Sequence, residues 1–581
     1  MGGHRHTTLV GERMNTAEMI IEILGRTGVK YMFGVPGSAI EDLNTALCNN
    51  AYDILPIVAK HEEGAAFMAD GYARVSGKLG VCYATAGPGA SNLITGLISS
   101  YVDQIPVLAL TGQVATSLFG KGAFQESGSE QIDLMRIFSN FTKYSRILIS
   151  ETRTQYILQK AIRLALSNPG GPVHINMPTD IMKRPVELRE LLMTTSTEET
   201  HLFDVERVGK VAELLANARR PAIIAGWGVY LSRAMSELLQ LAEQLQIPVA
   251  TSPKAKGVFP ESHELSLGVL GFAGSPLAQE YLIDNNVDVL LAVGTSFSEM
   301  TTNGWDEHLQ PTEHLIHLDV DNEKIGKNYP ASHFMVGDLK INLKMIAQTI
   351  EGTSSKKDRR AHRNNHLQRL RQHQTKNETF SSRNDLYHPA QLTLDIQKFF
   401  PKNSIFFVDI GTSMAWAIRY MTVERPGSFF VSLGYGSMGY AVAAPVGAHF
   451  AAPDRPVVAM VGDGSFLMNG FEVATAVNYN IPVTWVVLNN AMLGMIHHGR
   501  LLVKETVPDV MSTSFQRVDY VKIAEGLGAR GIHIDGKEPL SSSLVEDIMT
   551  AQVPTVLDVW IDDQAVPPIH SRIKTMDTHF A

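Results

Sequence analysis

Two polar turns in the last third of the chain carry residue types that suit a metal ion and a diphosphate. An apolar run, 457–461, leads directly into Gly462–Ser465 (GDGS), and a second apolar run, 483–488, ends at an Asn pair. Because parallel strands release their last residues at the same edge of a sheet, we expect Asp463 and Asn490 to meet there. A carboxylate and a carboxamide oxygen are hard ligands suited to Mg²⁺ or Ca²⁺. Glycines let backbone N–H groups approach a diphosphate at a helix N-terminus. The spacing therefore predicts a metal–diphosphate site.

The elements that must position these turns alternate between strand and helix along the whole chain. This alternation predicts α/β architecture, with three doubly wound parallel-sheet domains. A basic, His-rich tract at 356–376 is more typical of a solvated helical linker than of a nucleic-acid patch. The predicted segments are a first domain at 12–190, a central domain at 201–345, a polar linker at 346–384, a last domain at 385–565 and a C-terminal tail at 566–581.

Composition narrows the classes of function. A chain of 581 residues with 44% hydrophobic and 19% charged residues is typical of a multi-domain globular protein. The net charge of −9 is mild for this length and argues against nucleic-acid and membrane-surface partners. Two cysteines are too few for a disulfide framework or a zinc cluster. There is no apolar run of the ~20 residues that span a bilayer and no secretory signal pattern at the start, so we expect a cytoplasmic protein.

Two stretches resemble known enzymes. The GDGS turn followed by an Asn pair is similar to the thiamine-diphosphate motif, and HEEGAAFMADGYARVSGKLGVCYATAGPGASNLITGL closely resembles the first domain of the acetolactate (acetohydroxyacid) synthase family. In that family the Glu after the His pairs with N1′ of the cofactor pyrimidine, so the resemblance implies a catalytic role for Glu62. It also implies thiamine diphosphate and Mg²⁺ as cofactors. The implied reaction is decarboxylation of a 2-oxo acid, with pyruvate expected, and ligation of the two-carbon unit to an acceptor carbonyl.

The resemblance covers almost the whole chain, including FGVPGSAIEDL, TGQV, AFQE, DIGTSMAW, GYGSMG and HLDVDNEKIGKNYP. It implies a metal site made by Asp463, Asn490 and the backbone carbonyl of Met492. Cofactor contacts are implied for residues in the turns of the last domain: Gly411, Thr412, Ser413, Gly436, Ser437, Met438, Gly462, Gly464, Ser465, Asn490, Gly494 and Met495. Substrate contacts are implied for Gly37, Ser38, Phe124, Gln125, Met495 and His497, and Gln125 is grouped with Glu62 as catalytic.

Departures from the family pattern concern the substrate and the flavin. The synthases' GMVxQW stands here as GMIHHG, so Gly499 replaces the Trp that helps the anabolic enzymes favour 2-ketobutyrate. The missing indole leaves room for a different or larger acceptor. His497 and His498 are either donors to a substrate oxygen or ordinary surface residues. The synthases' GARFDDR, which helps to hold FAD, is 294–300 (GTSFSEM) here, without either arginine; FAD, ADP and no nucleotide remain alternatives.

The family's quaternary structure and its relatives leave further alternatives. In the family, the active site lies between the first domain of one subunit and the last domain of another, which implies a homodimer or homotetramer. Other enzymes that use this cofactor share every cofactor residue, namely 2-oxo acid decarboxylases, acyloin synthases or transferases and C–C hydrolases. A pyruvate oxidase-like activity requires FAD. A non-catalytic homologue is the alternative outside enzymes, and the intact Glu62, Asp463 and Asn490 argue against it.

Overall fold

Three six-stranded parallel sheets, each flanked by helices, form the protein. The computed structural model describes residues 13–188, 205–284, 287–351, 363, 367–371, 380, 383–503 and 513–569. Every strand pair within these three sheets is parallel. Central strands are buried along their whole length, as parallel sheets covered on both faces require. The predicted fold class is confirmed. Within the described part of the chain, no helix has the length and apolar character needed to cross a membrane.

The first domain has the strand order β3-β2-β4-β5-β7-β6, with β1 and β8 forming a separate antiparallel pair. Its strands are β1 Arg13–Asn15, β2 Tyr31–Val35, β3 Leu55–Val58, β4 Gly80–Ala84, β5 Val107–Gln113, β6 Ser145–Ile147, β7 Val173–Pro178 and β8 Pro185–Glu187. Its helices are α1 Thr16–Arg26, α2 Glu41–Cys48, α3 Glu62–Ser76, α4 Pro88–Asn92, α5 Ile94–Asp103, α6 Leu134–Phe138, α7 Glu151–Leu166 and α8 Thr179–Met182. Helix α3 begins directly after His61, whose side chain caps it by accepting from the Glu63 N–H at 3.2 Å.

The central domain has the order β11-β10-β9-β12-β13-β14, in which the chain reverses direction across the sheet between β9 and β12. Its strands are β9 Ala222–Ala225, β10 Val249–Thr251, β11 Ser266–Val269, β12 Val289–Val293, β13 His314–Asp319 and β14 His333–Val336. Its helices are α9 Val205–Asn217, α10 Trp227–Leu231, α11 Met235–Leu245, α12 Pro276–Gln279, α13 Glu299–Thr302 and α14 Leu339–Glu351. Part of the expected linker packs onto this domain, because Leu367 and Leu370 join its core and Arg363 donates to the carbonyls of Leu215, Ala218 and Leu245.

The last domain repeats the order of the first, β16-β15-β17-β18-β20-β19. Its strands are β15 Ile405–Val408, β16 Phe429–Val431, β17 Val457–Gly462, β18 Val483–Asn489, β19 Arg530–Ile534 and β20 Thr555–Trp560. Its helices are α15 Pro389–Phe399, α16 Thr412–Tyr420, α17 Tyr440–Ala451, α18 Asp463–Asn469, α19 Glu472–Asn478, α20 Gly494–Val503, α21 Tyr520–Gly526 and α22 Ser542–Ala551.

The first and last domains share one continuous hydrophobic core. Helices α3 and α17 cross at two glycines, which allow their backbones to touch. A Cβ atom on Gly71 would lie 2.2 Å from the carbonyl oxygen of Ala444, and one on Gly447 would lie 1.9 Å from that of Met68. Because only glycine fits at both points, the crossing fixes α3, and with it Glu62, against the last domain.

Candidate active site

Ligand-binding residues of open α/β sheets lie where the strand order reverses, beyond the carboxyl ends of the strands. In the last domain this point lies between β15 and β17, and Asp409–Ser413 and Asp463–Ser465 follow those two strands. In the first domain it lies between β2 and β4, which lead into Gly37 and into the turn 85–89. Both sets of candidate residues therefore occupy the positions that this topology provides for ligands.

The predicted metal ligands meet at the edge of the last sheet. The Asp463 carboxylate accepts from the backbone N–H groups of Gly464 (2.8 Å), Asn490 (3.0 Å) and Ala491 (2.6 Å). These bonds join the end of β17 to the end of β18, which brings Asp463 and Asn490 together as the strand arrangement predicts. Burial raises the pKa of the Asp463 carboxyl to about 6, although the backbone donors lower it. A bound cation would relieve this penalty on the carboxylate.

Three turns of the last domain converge around this carboxylate. A Cβ atom on Gly494 would lie 3.2 Å from the Thr412 methyl group and 3.3 Å from Asn490 Nδ2. A Cβ atom on Gly464 would lie 2.8 Å from a methyl carbon of Leu493. The turns that begin α16, α18 and α20 are therefore in contact with one another, and each offers backbone N–H groups from a helix N-terminus.

Asp409, which the sequence reading overlooked, holds two of the candidate cofactor turns together. Its carboxylate is fully buried and accepts from the N–H groups of Ile410 (2.8 Å), Gly439 (3.0 Å) and Ala441 (2.8 Å). It thus ties the turn at Gly411 to the GYGSMG turn that carries Met438. Burial raises the pKa of Asp409 to about 6 despite these donors. Its position directly after a strand, like that of Asp463, was the available signal.

Several predicted cofactor residues use their side chains within the protein. The Ser413 hydroxyl donates to the Asp409 carbonyl at 3.0 Å, and the Ser465 hydroxyl donates to the Ile410 carbonyl at 3.3 Å. The Ser437 and Ser99 hydroxyls are hydrogen-bonded at 2.9 Å, which connects the GYGSMG turn to the first domain. For these serines a contact with the cofactor would come from the backbone or from an oxygen lone pair.

Glu62 lies at the first residue of α3 and is 8% exposed. Its Oε2 accepts from Asn92 Nδ2 at 3.0 Å, and a Cβ atom on Gly89 would lie 3.1 Å from its Oε1. Asn92 is a second residue that sequence reasoning did not single out, although it lies in the quoted AGPGASN stretch. The absence of a side chain at Gly89 lets its backbone lie close to the Glu62 carboxylate.

The predicted substrate residues of the first domain cluster around the same turn. A Cβ atom on Gly37 would lie 2.5 Å from Thr85, and one on Gly87 would lie 3.0 Å from the Gln125 side chain. Gln125 has a φ of +61°, in the left-handed region that few residues other than glycine adopt. Ser38 and Phe124 are exposed, Phe124 by 87% of its surface. Strain at Gln125 and an exposed ring beside it are typical of a binding loop.

Glu126 holds this loop in shape and was also missed. Its buried carboxylate accepts from the N–H groups of Gly120 (2.6 Å), Gly122 (3.2 Å) and Ala123 (3.2 Å). The carboxylate closes a ring of backbone donors around 120–126, so Phe124 and Gln125 are presented from a fixed turn. An acidic residue among closely spaced glycines was the signal that the sequence contained.

A cavity of 1160 Å³ lies between the last domain and the central domain. The last domain lines it with Ile410, Gly436 and Met495, and the central domain with Gly228, Gly294 and Thr295. Helix α20 contributes Met495, Ile496, Gly499 and Arg500 to the wall.

The two α20 histidines lie on other faces of that helix, and the predicted substrate role of His497 stays a prediction. Residues advance by about 100° along a helix, which turns positions 497 and 498 away from the 495, 496, 499 and 500 arc. His498 is 3% exposed, and burial lowers the pKa of its imidazole. The cavity face of α20 presents Gly499 and Arg500.

The residues present fit thiamine diphosphate with Mg²⁺. Gly411 and Gly436 have φ values of +142° and +80°, and a Cβ atom on either would meet nothing within 4 Å. Open backbone of this kind admits a diphosphate. The metal donors would be one carboxylate, one carboxamide and one carbonyl, all oxygen. Among the described residues there is no cluster of three His, Cys, Asp or Glu side chains that could hold a metal ion.

Comparison with known proteins gives the class to which this fold and site belong. Family models match three successive parts of the chain: the N-terminal TPP binding domain of thiamine pyrophosphate enzymes at 14–134, their central domain at 208–346 and their C-terminal TPP binding domain at 409–559. The protein is a thiamine diphosphate-dependent enzyme.

Whole-length relatives narrow the family further. The chain is 34% identical over 569 residues to a probable acetolactate synthase large subunit of Methanocaldococcus jannaschii, covering 96% of this chain and 93% of that protein. It is 31% identical over 570 residues to the acetolactate synthase isozyme 2 large subunit of Escherichia coli, covering 97% and 100%. It is 32% identical over 574 residues to the acetolactate synthase large subunit IlvB1 of Mycobacterium tuberculosis, covering 96% and 90%. The chain belongs to the acetolactate synthase large-subunit family.

Proposed function

We propose that the protein decarboxylates a 2-oxo acid, with pyruvate as donor, and joins the resulting two-carbon unit to the carbonyl carbon of an acceptor. The observation that carries this proposal is that one cavity is lined both by the candidate cofactor residues Gly436 and Met495 and by the open position Gly499. A decarboxylase needs space for one substrate, whereas ligation needs room for an acceptor beside the cofactor. The large-subunit relatives, which carry the name acetolactate synthase, support the same reaction.

The chain's own residues would divide the work between two domains. When bound, thiamine diphosphate supplies the nucleophilic carbon and the electron sink that decarboxylation requires. Asp463, Asn490 and the Met492 carbonyl would hold Mg²⁺ against the diphosphate. Glu62, oriented by Asn92, would exchange a proton with the pyrimidine nitrogen. The first domain would border the substrates and limit the entry of water with Gly37, Ser38, Phe124 and Gln125.

Product analysis tests this function directly. Purified protein is supplied with thiamine diphosphate, Mg²⁺ and pyruvate, and the products are identified by NMR. We expect CO₂ and 2-hydroxy-2-methyl-3-oxobutanoate; formation of neither this acid nor an acyloin would refute the proposal, and acetaldehyde alone would indicate a simple decarboxylase. Glu62→Gln should abolish turnover, with Glu63→Gln, one residue further along α3, as the matched control.

We further propose that the active site is completed by a second copy of the chain. Glu62 contacts Asn92 and Gly89 of its own domain, while the Asp463 carboxylate contacts backbone of the last domain. Large apolar side chains beside both half-sites are exposed in the single chain: Phe124 by 87%, Met468 by 56% and Phe471 by 69%. Exposed apolar surface of this kind marks an interface. A homodimer or a homotetramer built from it would cover these side chains.

Mixing two inactive variants tests this arrangement. If each site takes Glu62 from one subunit and Asp463 from the other, Glu62→Gln and Asp463→Ala chains complement one another when they reassort. Half of the randomly formed dimers are hybrids with one intact site, so about a quarter of wild-type activity should return. No recovery, although hybrids are demonstrated by mass spectrometry, would place both residues of a site in one chain.

The part of the cavity in the central domain is proposed as a nucleotide site. The cavity exceeds the roughly 300–1,000 Å³ of common ligand pockets, and Gly228 and Gly294 line it where the strand order reverses. FAD and ADP are the candidates, and an absorbance spectrum of the purified protein separates them. Flavin bands would favour FAD and would also make a pyruvate oxidase-like reaction testable by oxygen uptake.

The two unpaired cysteines, Cys48 and Cys82, agree with a cytoplasmic location.

A further inference from the structure

The two predicted metal donors of the last domain are held by a second set of buried residues. Asp463 and Asn490 are buried, and the Asn490 N–H donates to Asp463 Oδ2 at 3.0 Å. Asn489 precedes Asn490 in the chain, and Tyr520 donates to the backbone of Asp463; both side chains are fully buried. Residues that hold metal ligands in place contribute to metal affinity although they do not touch the ion. Asn489 and Tyr520 are therefore candidates for this role.

Asn489 fixes the end of β18. Its Nδ2 donates to Asp558 Oδ1 at 2.8 Å and to the Val518 carbonyl at 2.9 Å. Its backbone carbonyl accepts from Arg517 Nη1 at 2.8 Å. Because three hydrogen bonds hold Asn489 by both its side chain and its backbone, they also set the direction in which the chain continues to Asn490.

Tyr520 holds the other donor. It is the first residue of α21, and its phenol O–H donates to the Asp463 carbonyl at 2.9 Å. Its side chain packs edge-on against Phe466 of α18, with 5.3 Å between the ring centroids. The N–H of a first helical residue has no partner within the helix, and here it donates to Asp558 Oδ2 at 3.3 Å. Tyr520 thus connects the backbone of Asp463 to Asp558.

Asp558 closes these contacts into a hydrogen-bond ring. It lies on β20, which pairs with β18, and it is buried. One of its carboxylate oxygens accepts from Asn489 and the other from Tyr520. The hydrogen-bond ring therefore runs from Asp463 through Tyr520, Asp558, Asn489 and Asn490 back to Asp463. Because it is closed, one metal donor cannot move relative to the other unless one of these bonds breaks.

We propose that Asn489, Tyr520 and Asp558 are positioning residues that fix the two metal donors and thereby strengthen Mg²⁺ binding more than Ca²⁺ binding. This inference rests on the proposed function for the assignment of the donors to a metal. Mg²⁺ requires near-octahedral coordination at about 2.0–2.1 Å, whereas Ca²⁺ accepts flexible coordination at about 2.3–2.6 Å. Donors that are held rigidly therefore benefit the smaller ion more, and loosening the hydrogen-bond ring should weaken Mg²⁺ binding more than Ca²⁺ binding.

Calorimetry of metal binding tests the proposal without turnover. Mg²⁺ and Ca²⁺ are titrated separately into the full-length, metal-free protein with thiamine diphosphate in excess. Asn489→Ala should weaken Mg²⁺ binding by about tenfold to a hundredfold, the usual effect of a residue that holds a metal ligand. Tyr520→Phe keeps the packing against Phe466 and removes one hydrogen bond, so it should weaken Mg²⁺ binding by about threefold to tenfold. Ca²⁺ binding should weaken by a smaller factor in both variants.

Tyr387→Phe is the matched control, because it removes a phenol O–H of the same domain that donates to Asp395 at 2.6 Å, outside the hydrogen-bond ring. Its affinities for both ions should equal those of the wild type. If Asn489→Ala fails to fold, Tyr520→Phe decides the question alone. Unchanged Mg²⁺ affinity in Tyr520→Phe, an equal loss for Mg²⁺ and Ca²⁺, or an equal loss in Tyr387→Phe would overturn the proposal.

The same titrations separate this inference from the proposed function. Metal binding is measured without a 2-oxo acid, so a protein that makes no ligated product can still show the expected loss of Mg²⁺ affinity in Asn489→Ala and Tyr520→Phe. Absence of Mg²⁺ binding by the wild type, by contrast, would overturn both the assignment of Asp463 and Asn490 to a metal and the role of the hydrogen-bond ring.

Discussion

Glu472 provides the sharpest test of how the last domain positions Glu62, the proposed catalytic carboxylate of the first domain. It is 1% exposed, and its carboxylate accepts from the N–H groups of Lys60 (3.1 Å) and His61 (3.0 Å) and from the Thr475 hydroxyl (2.7 Å). Lys60 and His61 immediately precede Glu62. Gly64 makes the approach feasible, because a Cβ atom there would lie 2.2 Å from Glu472 Oε1. Burial raises the pKa of the Glu472 carboxyl, while these donors oppose that shift.

Glu472→Ala leaves two backbone donors without their acceptor at the start of α3. Both hydrogen bonds are partly buried, so each unsatisfied donor should cost about 1–1.5 kcal/mol and the local structure about 2–3 kcal/mol of stability. Amide hydrogen exchange at Lys60 and His61 in the cofactor-free protein should then be about a hundredfold faster. Glu472→Gln keeps one acceptor oxygen and should lie in between. Thr475→Val, which removes only the hydroxyl donor, is the control and should leave exchange at both amides nearly unchanged.

The catalytic consequence follows from the position of these amides next to Glu62. If the hydrogen bonds from Lys60 and His61 to Glu472 orient Glu62, Glu472→Ala should lower kcat more than it raises KM for pyruvate. Exchange of the cofactor's C2 proton should slow in parallel. A purely structural role would change thermal stability without a change in C2 exchange. Unchanged protection of Lys60 and His61 in Glu472→Ala would refute the reasoning, since the hydrogen bonds would then have no measurable effect.

Three further predictions follow from buried groups elsewhere. Burial raises the pKa of the Asp409 carboxyl to about 6 in the folded protein. The protonated carboxyl therefore stabilises the fold below about pH 4, and this stabilisation is lost as the pH rises through 6. In denaturant titrations of the cofactor-free protein, Asp409→Asn should remove up to about 3 kcal/mol of this change in unfolding free energy with pH. Gly447→Ala places a methyl group against the Met68 carbonyl and should cost about 1–3 kcal/mol in thermal unfolding, whereas Gly526→Ala, which meets nothing within 4 Å, should be neutral or stabilising. Glu126→Ala should release its loop, seen as faster proteolysis there and a higher KM for pyruvate.

The sequence predicted the parts of the site that depend on local pattern. Strand ends follow from apolar runs, and a parallel sheet places all strand ends at one edge, so Asp463 and Asn490 could be brought together without coordinates. The direction in which a side chain points on a helix also requires knowledge of what that helix packs against. His497 was assigned to the substrate on sequence position, and this stays a prediction; the α20 residues that line the cavity are Met495, Ile496, Gly499 and Arg500.

Contacts between distant segments could not be derived from local pattern. Glu472 binds backbone that lies 411 and 412 positions earlier in the chain, and nothing in the residues around either segment specifies that pairing. The strand orders and the crossing of α3 with α17 could not be predicted for the same reason, because they depend on which surfaces bury each other. The glycines at that crossing were visible in the sequence, but a glycine alone does not identify the backbone that approaches it.

The end of α3 opposite Glu62 is fixed just as firmly, through charges from the first and central domains. Arg74, near the C-terminus of α3, donates to Asp103 at 3.0 Å, and Asp103 also accepts from Lys254 of the central domain at 2.7 Å. Burial alone would raise the pKa of Asp103, but Lys254 and Arg74 together bring it below its ordinary value, so the carboxylate stays ionised. A buried charge that loses its partner is strongly destabilising. An arrangement of the domains that separated Arg74, Asp103 and Lys254 would leave such a charge, so the ion cluster disfavours it. Because Lys254 also lines the cavity, this ion cluster connects one wall of the cavity to the helix that bears Glu62.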